Sequence, residues 1–378
     1  MPKNGRYNKM NFKELGISED IINALKKTGI TEPTAIQKES ISFIKEGRDL
    51  IAEAQTGTGK TLAFLLPIFE SISVDSPTIQ ALIVTPTREL AIQITEEAMK
   101  LKEAKAINIL AAYGGKDIGS QMKKLKRNIH LIIATPGRLL DHLARKTINL
   151  MNLKTLVLDE ADQILLMGFK NDIENIIKET SKKRQTLCFS ATMNPEVKKL
   201  AYRYMKDPLV VTAKKEKVTL DNIKQYVVET TDREKQDALC SVLDEDRPFM
   251  AIIFCRTKRR VDDLEVALYS RGYDCIKLHS DIIQSKRERI MKSFRNGDIQ
   301  YLIATDVAAR GLDISGVSHI YNYDIPESAE SYIHRIGRTG RAGEYGYTCM
   351  FVDPKNKREL DEIEKAIKFK IPRRELSI

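Results

Sequence analysis

The chain of 378 residues is 42% hydrophobic and 30% charged, so it can bury the cores of soluble domains. A prior of about 150 residues per domain predicts two or three of them. Lys and Arg number 62 against 52 for Asp and Glu, a net charge of +10. This excess favours an anionic partner, nucleic acid before membrane, although a solubilising surface charge explains it equally well. The five cysteines are scattered without a CxxC pair, which argues against zinc ribbons and thioredoxin chemistry.

The N-terminal stretch MPKNGRYNKMNF lacks the apolar segment of a signal peptide. The longest apolar run, near 62–69, is too short to cross a bilayer. Cys188, Cys255 and Cys349 lie in apolar, strand-like runs, as core cysteines of a reducing compartment do. We therefore expect a cytoplasmic protein that does not contact a membrane.

Short apolar runs alternate with helix-length amphipathic stretches along the chain. In the first half the runs are 49–54, 81–86, 130–136, 155–162, 185–192 and 208–213. In the second half they are 226–230, 250–257, 275–280, 301–306, 319–324 and 347–353. This alternation predicts an α/β fold with parallel sheets that carry helices on both faces. Polar residues cluster just past the runs, where open α/β sheets bind ligands.

A polar, lysine-rich stretch without hydrophobic periodicity separates the two sets of runs. We predict a linker at 213–222, between an N-terminal domain of residues 1–212 and a C-terminal domain of residues 223–378. The two halves share a rhythm of strands but no evident sequence repeat.

The stretch AQTGTGKT, residues 54–61, follows the first run and precedes an apolar helical pattern, as a phosphate-binding loop does. Gly57 and Gly59 would let backbone N–H groups wrap a phosphate at the helix N-terminus. Lys60 would reach the β- and γ-phosphates, and the Thr61 hydroxyl would ligate Mg²⁺. The plain alternative is a glycine-rich turn before a helix. The other loop residues predicted to bind the nucleotide are Gln55, Thr56 and Thr58.

The run TLVLDEAD, residues 155–162, delivers two acids to the end of a predicted strand. Asp159 would position Mg²⁺, through water, and Glu160 would orient and deprotonate the attacking water. Two adjacent acids alone usually belong to a solvated turn. Together with the phosphate loop they indicate a nucleoside triphosphatase.

These motifs and the tetrapeptide at 159–162 resemble those of the DEAD-box RNA helicases. The resemblance covers the chain from about Phe12 to Gly346 and rests on many motifs in the same order. It implies two tandem RecA-like domains, hydrolysis of ATP with Mg²⁺, and RNA, single-stranded or in a short duplex, as the partner. We expect a monomer.

The stretch GITEPTAIQ, residues 29–37, resembles the family's adenine-recognition motif. Gln37 has a carbonyl and an amide, which suit the two-edged hydrogen bonding of adenine. By itself it would be an ordinary helix-surface glutamine. Phe12 stands where the family has an aromatic residue that stacks on the base.

Three segments resemble the RNA-contacting motifs of the family's first domain: PTREL, a glycine pair and TPGR. Each offers hydroxyls, backbone N–H groups or an arginine, which bind phosphate and sugar rather than bases. Sequence-independent binding follows, whereas TPGR alone would indicate a simple turn with a helix cap. The predicted RNA ligands are Pro86, Thr87, Arg88, Gly114, Gly115, Thr135, Pro136, Gly137 and Arg138.

The tripeptide SAT, residues 190–192, resembles the motif that links hydrolysis to domain movement. The hydroxyls of Ser190 and Thr192 could bond Asp162 across adjacent strand ends. Capping of the helix that follows is the alternative, and both can hold.

The second half has no G-K-[ST] sequence of its own, so we do not expect a second triphosphatase there. Its motifs resemble RNA-binding and interface motifs of the family. Asp306 would help hold the domain interface, and Asp313 would face the ribose. The predicted RNA ligands of this half are Arg256, Thr257, Gln284, Arg287, Thr305, Arg310 and Gly311.

The stretch HRIGRTGR, residues 334–341, resembles the family's last motif. Arg338 and Arg341 would be arginine fingers on the γ-phosphate, a role worth about 10³- to 10⁵-fold in rate. Because they lie on the other domain, hydrolysis would require closure, and His334 would join the interface. The rival interpretation is that this basic stretch binds RNA phosphate. The glycines expected to permit tight turns here are Gly337, Gly340 and Gly343.

Three positions depart from the expected patterns: Ala54 and Ser280 stand where glycine is usual, and Gln163 where a charge is usual. Ala54 weakens the match to the bare phosphate-loop pattern, whereas neither Ser280 nor Gln163 has a catalytic role. The chain ends with IPRRELSI soon after the last motif, which favours low RNA selectivity or a shortened C-terminus.

The predicted function is RNA-stimulated ATP hydrolysis coupled to interdomain closure, with binding to the RNA backbone and local unwinding of short duplexes. Contacts to the 2′-hydroxyl would discriminate against DNA. Two alternatives remain: an ATP-dependent RNA clamp or scaffold that barely unwinds, and a DNA-dependent translocase of the same superfamily.

Overall fold

The computed structural model describes residues 10–54, 57–115, 117–125, 128–212, 222–309, 316–340 and 345–376. The chain divides into two compact units, residues 1–215 (unit 1) and residues 216–378 (unit 2). Of the predicted linker, only Asn222 falls within the described residues.

The sheet of unit 1 is parallel throughout its described residues. Its strands are β1 (Leu50–Glu53), β2 (Ala81–Val84), β3 (Ile109–Ala112), β4 (Leu131–Ala134), β5 (Thr155–Leu158), β6 (Gln185–Ser190) and β7 (Leu209–Thr212). They lie in the order β3-β4-β2-β5-β6-β1-β7. Strand β3 lies at an edge and falls outside the predicted runs, because only alternate side chains of it are fully buried.

Helices cover both faces of this sheet. They are α1 (Glu19–Lys27), α2 (Ala35–Lys45), α3 (Lys60–Ser71), α4 (Arg88–Lys100), α5 (Ile118–Leu125), α6 (Pro136–Ala144), α7 (Ala161–Leu166), α8 (Lys170–Lys178) and α9 (Pro195–Tyr204). Leu50 and Ala52 of β1 pack into one core with α1 to α4. Ile51 points the other way, into a core with α6 to α9. A strand that is buried on both faces is apolar along its whole length, which is why the apolar runs in the sequence predicted these strands.

Unit 2 repeats this architecture. Its strands are β8 (Ile223–Glu229), β9 (Ala251–Cys255), β10 (Cys275–Leu278), β11 (Tyr301–Thr305), β12 (His319–Asn322) and β13 (Gly346–Val352). Over the described residues they form a parallel sheet in the order β10-β11-β9-β12-β13-β8. Its helices are α10 (Lys235–Asp246), α11 (Lys258–Ser270), α12 (Gln284–Arg295), α13 (Asp306–Ala309), α14 (Ala329–Ile336) and α15 (Lys357–Ile367).

The two faces of the second sheet also bury separate cores. Ile253 packs with α10 and α11, whereas its neighbour Ile252 packs with α12 and α13. Met350 of β13 packs with α14 and α15. The predicted class, parallel sheets with helices on both faces, is confirmed in each unit. Among the helices of the described ranges, none combines the length and apolarity needed to span a bilayer.

The cysteines predicted to lie in the core do so. Cys188, Cys255 and Cys349 are buried as free thiols. Burial raises the pKa of Cys188 and of Cys349 to about 12, so both thiols stay protonated and unreactive at neutral pH.

An aromatic pair joins α3, which follows the phosphate loop, to β6. Phe64 and Phe189 are both 0% exposed, and their ring centroids lie 5.2 Å apart in an edge-to-face arrangement. We predict that Phe64→Ala lowers the free energy of unfolding by about 3–5 kcal/mol, because the structure cannot fill the cavity that remains. Equilibrium denaturation followed by circular dichroism measures the change. Tyr202→Ala, at a residue 57% exposed, is the control and should change it by less than about 0.5 kcal/mol. A loss below about 1 kcal/mol for Phe64→Ala would contradict the tight packing described here.

Candidate active site

The predicted ligand-binding residues of unit 1 follow the carboxyl ends of its strands. The phosphate loop follows β1, PTREL follows β2, the glycine pair follows β3, and TPGR follows β4. The acids follow β5, and SAT spans the end of β6. Because the strands are parallel, all these loops emerge at one edge of the sheet, where open α/β sheets bind ligands.

The phosphate loop has the backbone that its glycines permit. Gly57 and Gly59 have φ of 84° and 88°, in the left-handed region. Gly59 is the N-cap of α3, and a Cβ there would lie 2.6 Å from Gln37 Nε2. Ala54 instead continues the strand pairing, since its N–H donates to the Ser190 carbonyl at 3.0 Å, so glycine is not required there. Thr58 and Thr61 are partly buried, whereas Gln55 and Thr56 lie outside the described residues.

Gln37 fixes this loop to the start of α2. Its Oε1 accepts from the Thr34 N–H at 2.9 Å, and its Nε2 donates to the Gly59 carbonyl at 2.9 Å. The side chain is 1% exposed, so the alternative of a helix-surface glutamine is wrong. An amide oxygen has a second lone pair and an amide nitrogen a second hydrogen, which an adenine edge could still engage.

Phe12 is a core residue in this structure. It is 2% exposed and packs with the core of α1 to α4. The exposed ring face that base stacking needs is therefore not seen here.

Lys60 and Asp159 form the charged centre of the site. Lys60 is 7% exposed, and its Nζ has no hydrogen-bond partner among the described residues. Asp159 is 3% exposed, and burial raises its pKa to about 7, while the Lys60 ammonium acts in the opposite direction. The buried Lys60 ammonium lacks a hydrogen-bond acceptor among the described residues, and the buried Asp159 carboxyl lacks enough nearby positive charge to stay ionised. A phosphate with its Mg²⁺ would meet both of them, so the residues present fit that pair.

Glu160 occupies a strained position next to this centre. Its φ is 51°, unusual for a side-chain-bearing residue, and it is the N-cap of α7. The Glu160 N–H donates to Asp159 Oδ1 at 3.0 Å. Backbone strain of this kind is concentrated at functional sites.

Hydrogen bonds connect SAT to the second aspartate of the acidic motif. The Asp162 N–H donates to Ser190 Oγ at 3.2 Å, and Thr192 Oγ1 donates to Asp162 Oδ2 at 3.2 Å. Ser190 Oγ donates in turn to the Thr192 carbonyl at 2.8 Å. Helix α9 is capped by Asn194, whose side chain accepts from the Val197 N–H, so capping does not occupy the SAT hydroxyls.

The PTREL loop and the glycine pair lie against each other. A Cβ on Gly114 would be 3.0 Å from Arg88 Nη2, so the arginine packs on the glycine backbone. Pro86 is buried, and Thr87 caps α4 by accepting from the Leu90 N–H at 3.2 Å. Gly115 is exposed with φ of 85°.

TPGR begins helix α6. Thr135 is its N-cap residue and Pro136 its first residue, yet within residues 128–212 the Thr135 hydroxyl makes no capping hydrogen bond. Gly137 is exposed, and a Cβ there would meet open space. Arg138 is partly buried on the same turn.

In unit 2, the residues after β9 face a buried carboxylate. Asp324 accepts from the Arg256 N–H at 2.9 Å and pairs with the Arg260 guanidinium at 2.8 Å. Thr257 caps α11 by accepting from the Arg260 N–H at 3.3 Å. Thr305 ends β11 and is 7% exposed.

Two residues predicted to touch RNA lie inside unit 2. Gln284 and Arg287 are 5% and 7% exposed. Arg287 donates to the carbonyls of His279, at 3.1 Å, and Ala308, at 3.4 Å. Arg287 therefore bridges the loop after β10 to the segment after β11, whereas Gln284 donates to Glu288 Oε1, one turn further along α12, at 3.4 Å.

A third arginine of HRIGRTGR, which the sequence did not single out, is a structural centre. Arg335 is 2% exposed and donates to both carboxylate oxygens of Asp306 at 2.6 Å. It also donates to Asn322 Oδ1 and the Asp324 carbonyl, and lies 4.9 Å from the Phe254 ring centroid. In the sequence, only the spacing of Arg335 from the apolar Tyr332 could have indicated that Arg335 is buried. Its partners come from distant segments, so no local pattern identifies them.

The turn after α14 needs glycine at one of the described positions. Gly340 has φ of 67°, and its Cβ would meet Ile223 at 3.0 Å. Gly337 lies in the turn that ends α14 with φ of −65°, which other residues also adopt, and a Cβ there would crowd the Ile333 carbonyl at 3.2 Å. His334 lies in α14, and Arg338 follows its end. The predicted residues Arg310, Gly311, Asp313 and Arg341, together with Gly343, lie outside the described residues.

A cleft of about 790 Å³ opens at the opposite edge of unit 1, where strands begin. Its positive side chains are Lys45, Arg48, Lys154, Lys182, Lys183, Arg184 and Lys206. Helices α2 and α8 end at this edge, and basic residues near helix C-termini stabilise the helix dipoles. None of the predicted site residues lines it.

Comparison with known proteins agrees with this arrangement. The DEAD/DEAH box helicase family matches residues 34–200, and the helicase conserved C-terminal domain matches residues 234–343. The chain is 51% identical over 356 residues to the ATP-dependent RNA helicase CshA of Limosilactobacillus reuteri, covering 94% of this chain and 72% of the relative. It is 48% identical over 362 residues to the DEAD-box ATP-dependent RNA helicase CshA of Bacillus subtilis, covering 96% and 73%.

A solved structure of S. cerevisiae Dbp5 bound to RNA and ADP BeF3 is similar with a TM-score of 0.89 and 31% identity, covering 96% of this chain and 95% of that chain. The relatives share the family, and the solved structure shares the fold. The chain therefore belongs to the DEAD-box family of ATP-dependent RNA helicases and is an ATP-hydrolysing enzyme built from two tandem RecA-like domains.

Proposed function

We propose that this enzyme hydrolyses ATP in response to RNA and uses closure of its two domains to separate short RNA duplexes. The observation that carries the proposal is the Lys60 ammonium, buried beside Asp159 at the end of a phosphate loop without a hydrogen-bond partner among the described residues. The proposed domains are residues 1–212, which bind ATP, and residues 223–378, joined by a linker at 213–222.

The geometry of unit 1 supports a binding site for ATP. Backbone N–H groups of the phosphate loop and Lys60 would hold the phosphates, and Gln37 would read the adenine edge. Thr61 and Asp159 would hold Mg²⁺, which supplies positive charge to the β- and γ-phosphate oxygens when bound. The Phe12 ring would have to turn from its core position to stack on the base. The remaining proposed nucleotide ligands are Gln55, Thr56, Gly57, Thr58, Gly59 and Asp313.

Hydrolysis would require groups from both domains. Glu160 would orient the attacking water and accept its proton. Arg338 and Arg341 would stabilise the negative charge that develops on the transferred phosphoryl group. Since these arginines belong to unit 2, the reaction would proceed only in the closed state. This division explains how an RNA that bridges the domains can stimulate ATP hydrolysis.

RNA binding would use loops that offer backbone ligands. Two observations support a phosphate-binding surface in unit 1: Arg88 packs on Gly114, and within residues 128–212 the Thr135 hydroxyl makes no capping hydrogen bond. The net charge of +10 favours RNA affinity that falls as salt rises. In unit 2 the proposed RNA ligands are Arg256, Thr257, Gln284, Arg287, Thr305, Arg310 and Gly311, and Arg287 would also support the two loops that it bridges. The further contacts proposed in unit 1 are Pro86, Thr87, Gly115, Pro136, Gly137 and Arg138.

Coupling of hydrolysis to domain movement would pass through the SAT network. The bonds from Ser190 and Thr192 to Asp162 connect the strand end of the acidic motif to the start of α9. Asp306 and His334 would complete the coupling from unit 2.

Reduced cysteines and an RNA partner support a cytoplasmic location, and we propose that the enzyme acts as a monomer.

The first test compares ATP hydrolysis without nucleic acid, with single-stranded RNA and with DNA of the same sequence. We predict that RNA stimulates turnover strongly and DNA does not, because contacts to the 2′-hydroxyl assist closure. Glu160→Gln is the inactive control. Stimulation by DNA would favour the translocase alternative. Strand separation of a short RNA duplex in the same reactions distinguishes a helicase from a clamp, since a clamp would hydrolyse ATP with little separation.

The second test removes one proposed arginine finger. We predict that Arg338→Ala lowers the RNA-stimulated kcat by about 10³-fold or more, with little change in the KM for ATP, because the arginine acts in the transition state. Arg358→Ala, at a side chain 88% exposed on α15, is the control and should leave kcat unchanged. If Arg338→Ala weakened RNA binding and left the hydrolysis rate at saturating RNA intact, the rival interpretation of HRIGRTGR as an RNA-phosphate site would hold.

A further inference from the structure

A buried chain of hydrogen bonds in unit 1 connects the glycine pair to the helix that begins with TPGR. His142, on α6, is 0% exposed, and its Nε2 lies 2.9 Å from Gln121 Oε1. Gln121, on α5, is 3% exposed, and its Nε2 donates to the Tyr113 carbonyl at 3.2 Å. Tyr113 directly precedes the glycine pair. The network thus ends at the backbone of one proposed RNA loop.

The hydrogen bonds define the protonation of His142. Because the Gln121 amide nitrogen is bound to the Tyr113 carbonyl, the amide oxygen faces the imidazole and must accept from Nε2–H. Nδ1 lies 2.8 Å from Thr147 Oγ1, whose hydroxyl can donate to it. Burial lowers the pKa of His142, and the Arg138 charge lowers it further, while Asp141 raises it. The neutral ring with its proton on Nε2 satisfies the Gln121 oxygen, and the single Thr147 hydroxyl proton is then shared between Nδ1 and the His142 carbonyl, which lies 3.0 Å from Thr147 Oγ1.

Other contacts extend this network to all three RNA loops of unit 1. The Thr135 N–H, at the start of TPGR, donates to the Ala112 carbonyl at 3.1 Å. Arg88 of PTREL packs on Gly114, the residue after Tyr113. The backbone from 112 to 115 therefore contacts both neighbouring loops. Gln121 fixes the position of this backbone segment through its bond to the Tyr113 carbonyl, and His142 in turn orients the Gln121 amide.

We propose that His142 and Gln121 are positioning residues that align the three RNA loops of unit 1 for the RNA backbone. This inference rests on the proposed RNA contacts of those loops, and it assigns no contact with RNA to either residue. Loss of the Nε2 donor would leave the Gln121 oxygen unsatisfied in a buried site, so the amide would reorient and release the Tyr113 carbonyl. The glycine pair would then lose its fixed position against Arg88.

A second buried histidine of unit 1 provides a matched control. His130 is 2% exposed, and its Nδ1 accepts from the Asn108 N–H at 3.0 Å. It lies just before β4, at the edge of the sheet opposite the RNA loops. Replacement of His130 therefore disturbs the same core without acting on those loops.

The experiment measures the RNA concentration for half-maximal ATP hydrolysis, the KM for ATP and the thermal unfolding temperature of His142→Leu, Gln121→Leu and His130→Leu. We expect the first two to raise the RNA concentration by about tenfold, as the loss of buried hydrogen bonds predicts, with the KM for ATP unchanged. The double variant should be no worse than either single one, since both break one network. His130→Leu should lower stability only.

Conservative substitutions separate positioning from packing. His142→Gln can place an amide donor near the Nε2 position and should restore RNA activation, whereas His142→Asn is too short to reach Gln121 and should not. This pair carries the test if His142→Leu fails to fold. Equal RNA activation in His142→Gln and His142→Asn, or the same RNA response in His142→Leu and His130→Leu, would overturn the inference.

Arg88→Ala distinguishes this inference from the proposed function. If Arg88→Ala raises the RNA concentration and His142→Leu does not, the loops bind RNA without help from the network, and only the inference fails. If Arg88→Ala has no effect either, the proposed RNA contacts of unit 1 are wrong.

Discussion

The buried ammonium of Lys60 beside the buried carboxylate of Asp159 is the interaction on which the rest of the site depends. A lysine amine without a hydrogen-bond partner among the described residues and a carboxylate whose pKa is raised to about 7 are both unfavourable on their own. The surrounding core must supply the stability that holds them there. The proposed phosphate and Mg²⁺ would give the Lys60 ammonium an acceptor and would give Asp159 a neighbouring positive charge. Gln37 and Gly59 secure the loop that carries Lys60, so the site is built before its ligand arrives.

The parallel sheets explain why so many separate motifs act at one place. Each strand of unit 1 runs through the core and ends at the same edge of the sheet, so the phosphate loop, the acidic motif and the proposed RNA-binding loops become neighbours. Hydrogen bonds connect SAT to Asp162 and His142 through Gln121 to Tyr113, and Arg88 packs against Gly114. Unit 2 uses the same design, with Arg335 clamped on Asp306. Shared supports of this kind would let the proposed ATP and RNA sites influence each other.

Features that depend on a local sequence pattern could be predicted from the sequence. Features that depend on contacts between distant residues could not. Buried strands and the phosphate loop were recognisable because apolar runs and glycines are local signals, whereas β3, an edge strand with alternating burial, left no continuous run. Gln37 was expected to read adenine, but its role in fixing Gly59 depends on a residue 22 positions away. The burial of Arg287 and the clamp of Arg335 also depend on distant carbonyl and carboxylate groups. The type of a residue indicates the chemistry it can perform, but only the folded structure shows which groups it contacts.

Calorimetric titration of ATP into the enzyme, with and without Mg²⁺, tests the central claim most directly, because it measures the phosphate site without RNA or turnover. ATP binding should require Mg²⁺, and Lys60→Met should weaken it by at least about tenfold, since a hydrogen bond to a charged group contributes about 1.5–3 kcal/mol. Asp159→Asn should abolish the Mg²⁺ dependence, and Lys198→Met, at an exposed lysine of α9, should change nothing. Equal affinity in Lys60→Met and the unaltered enzyme, or binding indifferent to Mg²⁺, would show that the nucleotide is held elsewhere and would contradict the account.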